Sequence, residues 1–442
     1  MESTAYSRRR VLKKMGSAAA AAAFFPVLSA CSSSSSTPES LAAVTDLGDA
    51  SINAVVRGSF IPSFNQLTAD LAARWEQERN ATISLDLRED WRDAAAQIAQ
   101  ARSGPDLSLV TGNAPHLHSS RLVDVTDLAE RIGEALGGWT SAARDTCVVD
   151  GVWRAIPWST TRHALVVRTD LLLEVGAPFP TTYDDLIEAA VRLDDNGAPP
   201  IGLTMSDIAP ADSAALAYGM LWAHGGQELT PDGRVALDSE GTRAALATFA
   251  QLSLVNAEGT FEWGHPDNND AYLAGEIAIT QNPSSIYLTA LERNLPLAEQ
   301  THHIPLPTGP AGAFQQPEID SLAVFRHSPD AVAAMDWIEF ASQGPTLVDR
   351  ASQSLAFHSP VVLGLDDDPR MPWNTDQQLE GLSSTAAEGR TAGWPLPPSL
   401  EAGLVYENNS IVNMFAAVGS GQMAARSAIA AATEELRRVY ET

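Results

Sequence analysis

Strand-like and helix-like patterns alternate along most of this chain, and that alternation limits the folds open to it. Short β-branched or alternating segments are typical of strands, and between them apolar residues recur at helical spacing, as at Leu67, Leu71 and Trp75. The predicted strands are 52–56, 83–87, 106–110, 164–167, 201–205, 277–280 and 322–325, and the predicted late helices are 331–341, 401–418 and 423–440. This order predicts an α/β fold with mostly parallel sheets, and a length of 442 residues predicts two lobes.

The chain is strongly acidic, which restricts its partners. It carries 55 Asp and Glu against 28 Lys and Arg, for a formal net charge of −27, and no lysine follows Lys14. A surface of this sign repels phosphate backbones, so we predict no nucleic-acid partner. Cys31 and Cys147 are the only cysteines in the sequence, which leaves no disulfide framework.

The first thirty residues indicate export and anchoring. The basic segment 7–14 resembles a twin-arginine signal, although an ordinary secretory signal stays open. The apolar run at 18–28 is too short to span a bilayer core of ~30 Å as a mature helix. It leads into Leu-Ser-Ala-Cys, which resembles the bacterial lipobox. The prediction is a cleaved signal at 1–30, a lipidated Cys31 and a serine-rich tether at 31–47, with the protein held at the outer face of the bacterial cell membrane.

No catalytic or cofactor motif assembles in the sequence. A phosphate-binding loop of the Walker type is absent, because it needs a lysine and no lysine follows Lys14. The motifs HExxH, GxSxG and CxxC are absent as well. The segment 419–424 fits a relaxed dinucleotide fingerprint, but it joins two predicted helices instead of following a strand. The histidines at 116, 118, 302 and 303 lack neighbours that would complete a metal site. We therefore predict no cofactor, no metal and no enzyme activity, while a site built from distant segments stays open.

Six segments carry a family resemblance. They are Gly-Pro-Asp-Leu at 104–107, the segments 150–157 and 166–176, Pro-Thr-Thr-Tyr-Asp-Asp-Leu at 180–186, His-Gly-Gly followed by Asp-Gly-Arg within 224–238, and 272–279. Their order and spacing over about residues 50–440 resemble family 1 extracellular solute-binding proteins of ABC importers, the maltose-binding-protein group, in its lipoprotein form. Arg168 stands where the family often has asparagine, and Asp320 with Ser321 replaces a frequent glycine pair.

The resemblance implies a two-lobed periplasmic-binding-protein-like fold of type 2, in which hinge segments join two α/β lobes. Lobe one is expected at 48–162 and 324–360, and lobe two at 163–320 and 365–442. The ligand is expected between the lobes, where closure excludes water from a few polar contacts. The family also implies ABC permease subunits as partners and a location outside the cytoplasm.

Candidate ligand residues follow from strand ends and from the family. Open α/β sheets bind ligands beyond the carboxyl ends of their strands, which favours Phe60 and Asn113. Sugar sites combine flat apolar rings with amides and carboxylates. By similarity to the family, the other candidates are Trp158, Gln281, Asn282, Asp320, Trp394, Glu407, Asn408 and Asn409. For the two tryptophans a place in the core stays open, and for Asn408 and Asn409 a place facing only solvent.

Three functions remain after this reading. The first is a lipid-anchored protein that captures a sugar or oligosaccharide and delivers it to an ABC importer. The second is the same fold carrying a polyamine, whose cation would suit Glu407, Asp320 and Trp158. The third is an exported lipoprotein enzyme. Closure on ligand without turnover would exclude the third, and melting temperatures across sugars and polyamines would separate the first two.

Overall fold

The computed structural model describes residues 46–58, 62–208, 210–383 and 389–441. The predicted signal at 1–30, the predicted lipidation site Cys31, all but the last two residues of the predicted tether, and the candidate Phe60 lie outside these ranges. Within the described ranges, no helix has both the length and the apolar character needed to cross a membrane.

The strands of the described residues form two main sheets and a short hairpin. They are β1 Ser51–Arg57, β2 Thr82–Arg88, β3 Leu107–Thr111, β4 Val148–Val149, β5 Val152–Trp153, β6 Ile156–Thr161, β7 Ala164–Arg168, β8 Ile279–Asn282, β9 Thr301–Ile304 and β10 Glu318–Val324. The first sheet has the order β2-β1-β3-β10-β6, and the second has the order β8-β7-β9. The hairpin consists of β4 and β5.

Helices surround both sheets. They are α1 Pro62–Arg79, α2 Trp91–Ala101, α3 Ala114–Leu117, α4 Thr126–Ala135, α5 Ser141–Cys147, α6 Thr169–Glu174, α7 Tyr183–Asp195, α8 Pro210–Ala223, α9 Glu240–Ser253, α10 Asp267–Leu273, α11 Ser285–Glu292, α12 Ala331–Ala341, α13 Gly344–Gln353, α14 Pro372–Thr375, α15 Leu400–Glu407, α16 Ser410–Gly419 and α17 Ala425–Tyr440. Short 3₁₀ turns occupy Ser119–Arg121, Pro296–Gln300, Leu363–Leu365 and Gln377–Leu382.

The first lobe is built on the five-stranded sheet. Strands β2, β1 and β3 are parallel, whereas β10 runs antiparallel to both β3 and β6. Helices cover the sheet, so β1 and β3 are apolar along most of their length. On α1 and α12, the rings of Trp75 and Trp337 meet edge to face at 5.9 Å, and the indole of Trp75 donates to Asp336. The core of this lobe is therefore closed by aromatic contacts between helices as well as by the sheet.

The second lobe has its own core around the shorter sheet. In that sheet β7 pairs antiparallel with β8 and with β9. Trp222, Phe249 and Phe415 are completely buried among helices α8, α9 and α16. Helix α7 begins with a capping box in which Thr182 and Asp185 each accept from the other's backbone amide, as the sequence predicts. The two-lobed α/β architecture of the prediction is confirmed, with mixed strand directions.

The chain passes between the lobes at places that the strand pairing fixes. It leaves the first sheet at the end of β6 and enters the second sheet at Ala164, the first residue of β7. All of β10 belongs to the first sheet, because it is hydrogen-bonded to β3 on one side and β6 on the other. The predicted end of lobe two at residue 320 is therefore wrong, since Glu318, Ile319 and Asp320 lie in lobe one.

Two predicted elements differ in kind from those of the structure, one helix that is divided and one strand that has no ladder. The predicted helix at 401–418 is two helices, because Asn409 adopts a left-handed conformation (φ 55°) between α15 and α16. Asparagine tolerates that conformation better than most residues. The predicted strand at 201–205 forms no ladder, since Ile201 alone bridges, to Asn256 and Ile279. Its apolar residues are buried, which explains why the pattern resembled a strand.

Candidate functional site

A cavity of about 280 Å³ lies between the two lobes. We call it the interlobe cavity. Its first-lobe wall contains Arg57, Trp91 and Arg92, and its second-lobe wall contains Asp212 and Asn282 among others. Arg57 ends β1, Trp91 begins the helix after β2, and Asn282 ends β8. The cavity thus lies beyond the carboxyl ends of strands from both sheets, where open α/β sheets bind ligands.

Two arginines stack on one tryptophan in the first-lobe wall. The guanidinium carbons of Arg57 and Arg92 lie 4.6 Å and 4.5 Å from the centroid of the Trp91 ring. Arg57 also lies 5.2 Å from the ring centroid of Phe357. The indole nitrogen of Trp91 donates to the hydroxyl of Thr111 at 3.0 Å, which fixes the ring. The two guanidinium groups are therefore held in place at the cavity wall by cation–π contacts.

Two carboxylates neutralise part of the positive charge: Glu318 lines the cavity, and Asp320 lies behind its wall. Arg57 Nη1 lies 3.5 Å from Asp320 Oδ2 and 3.9 Å from Glu318 Oε2, and Arg92 pairs with Glu318. The hydroxyl of Thr111 donates to the other Asp320 oxygen at 2.9 Å. Burial lowers the pKa of Arg92 from its usual value. Because its ion pairs are long, Arg57 retains donors for a ligand.

Amide and hydroxyl groups form the second-lobe wall. Asn282 Nδ2 donates to Asn269 Oδ1 at 2.8 Å, Asn269 Nδ2 donates to Ser285 Oγ at 3.1 Å, and Ser285 Oγ donates to Asn282 Oδ1 at 2.9 Å. This closed ring of hydrogen bonds fixes all three side chains, and all three are buried. Each amide still has a second N–H and a second lone pair. The wall can therefore both donate to and accept from one ligand hydroxyl.

Asp212 supplies a carboxyl group on the same wall, in the first turn of α8. Asn268 Nδ2 donates to Asp212 Oδ2 at 3.1 Å, and His163 Nε2 lies 3.9 Å from Asp212 Oδ1. Burial raises the pKa of Asp212 to about 6, against the opposing effect of the positive charges of Arg57 and Arg92. Burial lowers the pKa of His163 to about 4. At neutral pH the wall thus carries an ionised carboxylate beside a neutral imidazole.

The interlobe cavity has the chemistry to bind a polar solute. Guanidinium, carboxylate and amide groups surround it, so it offers donors and acceptors on opposite sides. Within the described ranges, no group of three or more His, Cys, Asp and Glu side chains is arranged to hold a metal ion.

Comparison with known proteins identifies the family. A family profile described as bacterial extracellular solute-binding protein matches residues 70–380. The chain belongs to this family. No curated protein sequence matches this solute-binding protein.

Solved structures share the fold of this solute-binding protein. Maltose-bound MalE3 of T. maritima superposes with a TM-score of 0.75 at 21% identity, covering 88% of this chain and 99% of that one. The GacH receptor of Streptomyces glaucescens, solved unliganded and with acarbose, gives 0.74 at 17% identity and covers 89% and 99%. A sugar transporter from Arthrobacter chlorophenolicus with bound laminaribiose gives 0.74 at 16% identity and covers 88% and 99%. At these identities the similarity establishes the fold alone.

Trp158, a leading sequence candidate, lies in the core of the first lobe. It is 2% exposed, its indole nitrogen donates to the carbonyl of Ala341 at 3.1 Å, and the guanidinium of Arg350 lies 3.6 Å from its ring centroid. It does not line the interlobe cavity. The prediction that Trp158 faces the ligand is wrong in this structure, because its side chain points from β6 towards α13 and not towards the other lobe.

The other candidates divide into three groups. Asn282 lines the interlobe cavity, and Asp320 lies behind the cavity wall, where it holds Arg57. The remaining described candidates do not line it: Gln281 and Asn113 are buried, Asn409 is half-buried, Glu407 and Asn408 are exposed at the end of α15, and Trp394 lines a separate crevice. Glu407 does not line the cavity, but it interacts electrostatically with a residue that does. The positive charge of Arg92 in the first lobe acts on the Glu407 carboxyl group in the second lobe. Phe60 lies outside the described residues.

The sequence prediction missed several residues of the site. Arg57, Trp91 and Asp212 line the interlobe cavity, yet none was a candidate. Arg57 ends β1, and Trp91 follows the end of β2. The rule that ligands bind beyond the carboxyl ends of strands, which selected Phe60 and Asn113, therefore also applied to these two residues. Asp212 carries no such signal, because its position depends on how α8 packs against the second sheet.

Proposed function

We propose that this solute-binding protein captures a sugar or oligosaccharide in its interlobe cavity and delivers it to an ABC import permease. The observation that carries the proposal is the lining: Arg57 on one wall faces Asp212 and the amides of Asn269 and Asn282 on the other. A sugar hydroxyl donates and accepts at once, so it needs both kinds of partner. Structures of the same fold with bound maltose, acarbose and laminaribiose support a sugar as the ligand.

The residues on which a polyamine site would depend do not support that ligand. Arg57 and Arg92 line the cavity together with the carboxyl groups of Glu89, Asp212 and Glu318, so its charges are mixed in sign. The polyamine hypothesis relied on Glu407, Asp320 and Trp158, none of which lines it.

We further propose that Cys31 is lipidated and holds the protein at the outer face of the cell membrane. The Leu-Ser-Ala-Cys sequence supports this, as does the serine-rich segment between Cys31 and the start of β1 at Ser51. Such a tether would leave both lobes free to reach a permease.

Thermal unfolding with a ligand panel tests the proposal. Maltose, laminaribiose, acarbose and tagatose are compared with putrescine and spermidine on the wild-type protein. A ligand at about 100 times its Kd stabilises the folded state by roughly 2.7 kcal/mol, which raises the melting temperature. We expect stabilisation by at least one sugar, no stabilisation by either polyamine, and the sugar recovered unchanged. Stabilisation by polyamines alone, or conversion of the sugar, would overturn the proposal.

A further inference from the structure

Arg350 is a buried cation without an adequate partner. It lies on α13, is 5% exposed, and stacks on Trp158. Its Nε and Nη1 atoms have no hydrogen-bond partner among the described residues. Buried guanidinium groups are normally hydrogen-bonded to an anion, since burying an unpaired charge is costly. Something that the protein chain does not supply is therefore expected at these atoms.

A second, much smaller cavity adjoins this guanidinium. It has a volume of about 10 Å³ and is lined by Arg57, Thr68, Trp158, Arg350 and His358 among others. We call it the rear cavity, because Arg57 separates it from the interlobe cavity and lines both. A volume of this size admits one water-sized particle. A polyatomic anion such as sulfate does not fit.

The polar groups that line the rear cavity are those of Arg57, Thr68, Arg350 and His358, and among the described residues no carboxylate lines it. Asp320 is the carboxylate whose charge acts on Arg350, but it already accepts from Thr111 and pairs with Arg57. Burial lowers the pKa of Arg350 to about 9, as expected for a cation without a close counter-charge. The hydroxyl of Thr68 donates a long 3.5 Å bond to the carbonyl of Phe64, so it can turn towards the cavity at little cost.

We propose that the rear cavity binds a single halide ion, chloride under physiological conditions, at the guanidinium of Arg350. A water molecule would satisfy the free N–H groups and leave the charge unbalanced, whereas a halide satisfies both. Arg57, the Thr68 hydroxyl and the His358 ring complete a shell of donors around it. The site lies outside the interlobe cavity, with Arg57 as the residue that lines both, and the argument for the halide does not depend on the proposed function.

Salt-specific stability and anomalous scattering test the site. The wild-type protein is melted in sodium chloride, sodium bromide and sodium gluconate at equal ionic strength, because gluconate is too large for the rear cavity. We expect the melting temperature in chloride and in bromide to be about 2 °C or more above that in gluconate. The rise should level off at high halide concentration, when the site is fully occupied. A crystal soaked in bromide should show an anomalous peak beside Arg350. Equal melting temperatures in the three salts, or a bromide crystal without that peak, would overturn the proposal.

Variants separate this site from general salt effects. Arg350→Met keeps an apolar side chain against Trp158 and should abolish the halide-dependent rise. Arg243→Met removes an exposed arginine that pairs with Asp238, and it should keep the full rise. An unchanged halide response in Arg350→Met would overturn the proposal. If that variant does not fold, the bromide peak in the wild-type crystal decides.

Discussion

Replacing Asp212 by asparagine should stabilise the protein at neutral pH and weaken sugar binding. Asp212 is half-buried in the interlobe cavity wall, and this partial burial raises the pKa of its carboxyl group from 3.8 to about 6. A carboxyl group whose pKa is higher in the folded state makes the folded state less stable when it ionises. Asparagine keeps the shape of the side chain and an oxygen to accept from Asn268. The substitution therefore removes the charge and little else.

The magnitude follows from that shift. About two pKa units correspond to about 3 kcal/mol, at roughly 1.4 kcal/mol for each unit. The folded protein binds more protons than the unfolded chain between about pH 4 and pH 6, so this group lowers stability as pH rises through that window. The loss of stability caused by the Asp212 carboxylate is complete above about pH 6 and absent below about pH 4. We expect Asp212→Asn to be more stable than wild type by up to about 3 kcal/mol at pH 8, and equal to it at pH 4.

Urea unfolding at several pH values measures the effect as a difference between the two proteins. The difference is needed because His163 and His303, whose pKa values burial lowers to about 4, make both proteins less stable in acid. Glu228→Gln is the matched control, since burial raises the pKa of Glu228 to about 7 and this residue does not line the interlobe cavity. It should give a similar pH-dependent gain with sugar affinity unchanged, whereas Asp212→Asn should bind about ten-fold more weakly. A difference independent of pH would refute the reasoning.

Three further predictions concern other parts of the chain. Arg57→Met should weaken sugar binding by about ten-fold or more in calorimetry, because a charged hydrogen-bond donor leaves the cavity. Trp158→Ala should cost about 3–5 kcal/mol of stability in urea unfolding and leave sugar affinity unchanged; normal stability with weak binding would return Trp158 to the ligand site. Cys31→Ala should appear in the culture medium and bind sugar normally, and mass spectrometry showing an unmodified Cys31 on wild-type membranes would contradict the anchor.

Local periodicity accounts for most of the fold that the sequence predicts. The predicted helix at 331–341 coincides with α12, and the predicted strands at 52–56 and 83–87 differ from β1 and β2 by one residue at each end. Each pattern reflects whether one face or both faces of the helix or strand are buried. Residues close together in the sequence already determine that burial pattern. The segment 201–205 shows the limit of this reasoning, because burial alone does not reveal whether a partner strand is present.

The site was harder to predict because it depends on side-chain direction and on distant packing. Trp158 lies in β6, a strand that the sequence analysis does not predict, and its ring points towards α13. Arg57 has the character of a surface residue in sequence, since charged residues at strand ends are usually solvated. Its role emerges when Trp91, thirty-four positions later in the chain, provides the ring on which it stacks. No local pattern contains that contact.

Asp320 links the departure from the family pattern to the chemistry of the cavity. The sequence has Asp320 and Ser321 where the family often has a glycine pair, and the strand register between β10 and β6 shifts at these two residues. Asp320 is 1% exposed, so it cannot meet a ligand directly, yet it pairs with Arg57 and accepts from Thr111. Thr111 in turn accepts from the indole of Trp91. A glycine at this position would leave Arg57 without one of its carboxylates and would remove the acceptor of Thr111. The substitution therefore changes the cleft indirectly, because it fixes a guanidinium and an indole in the cavity wall.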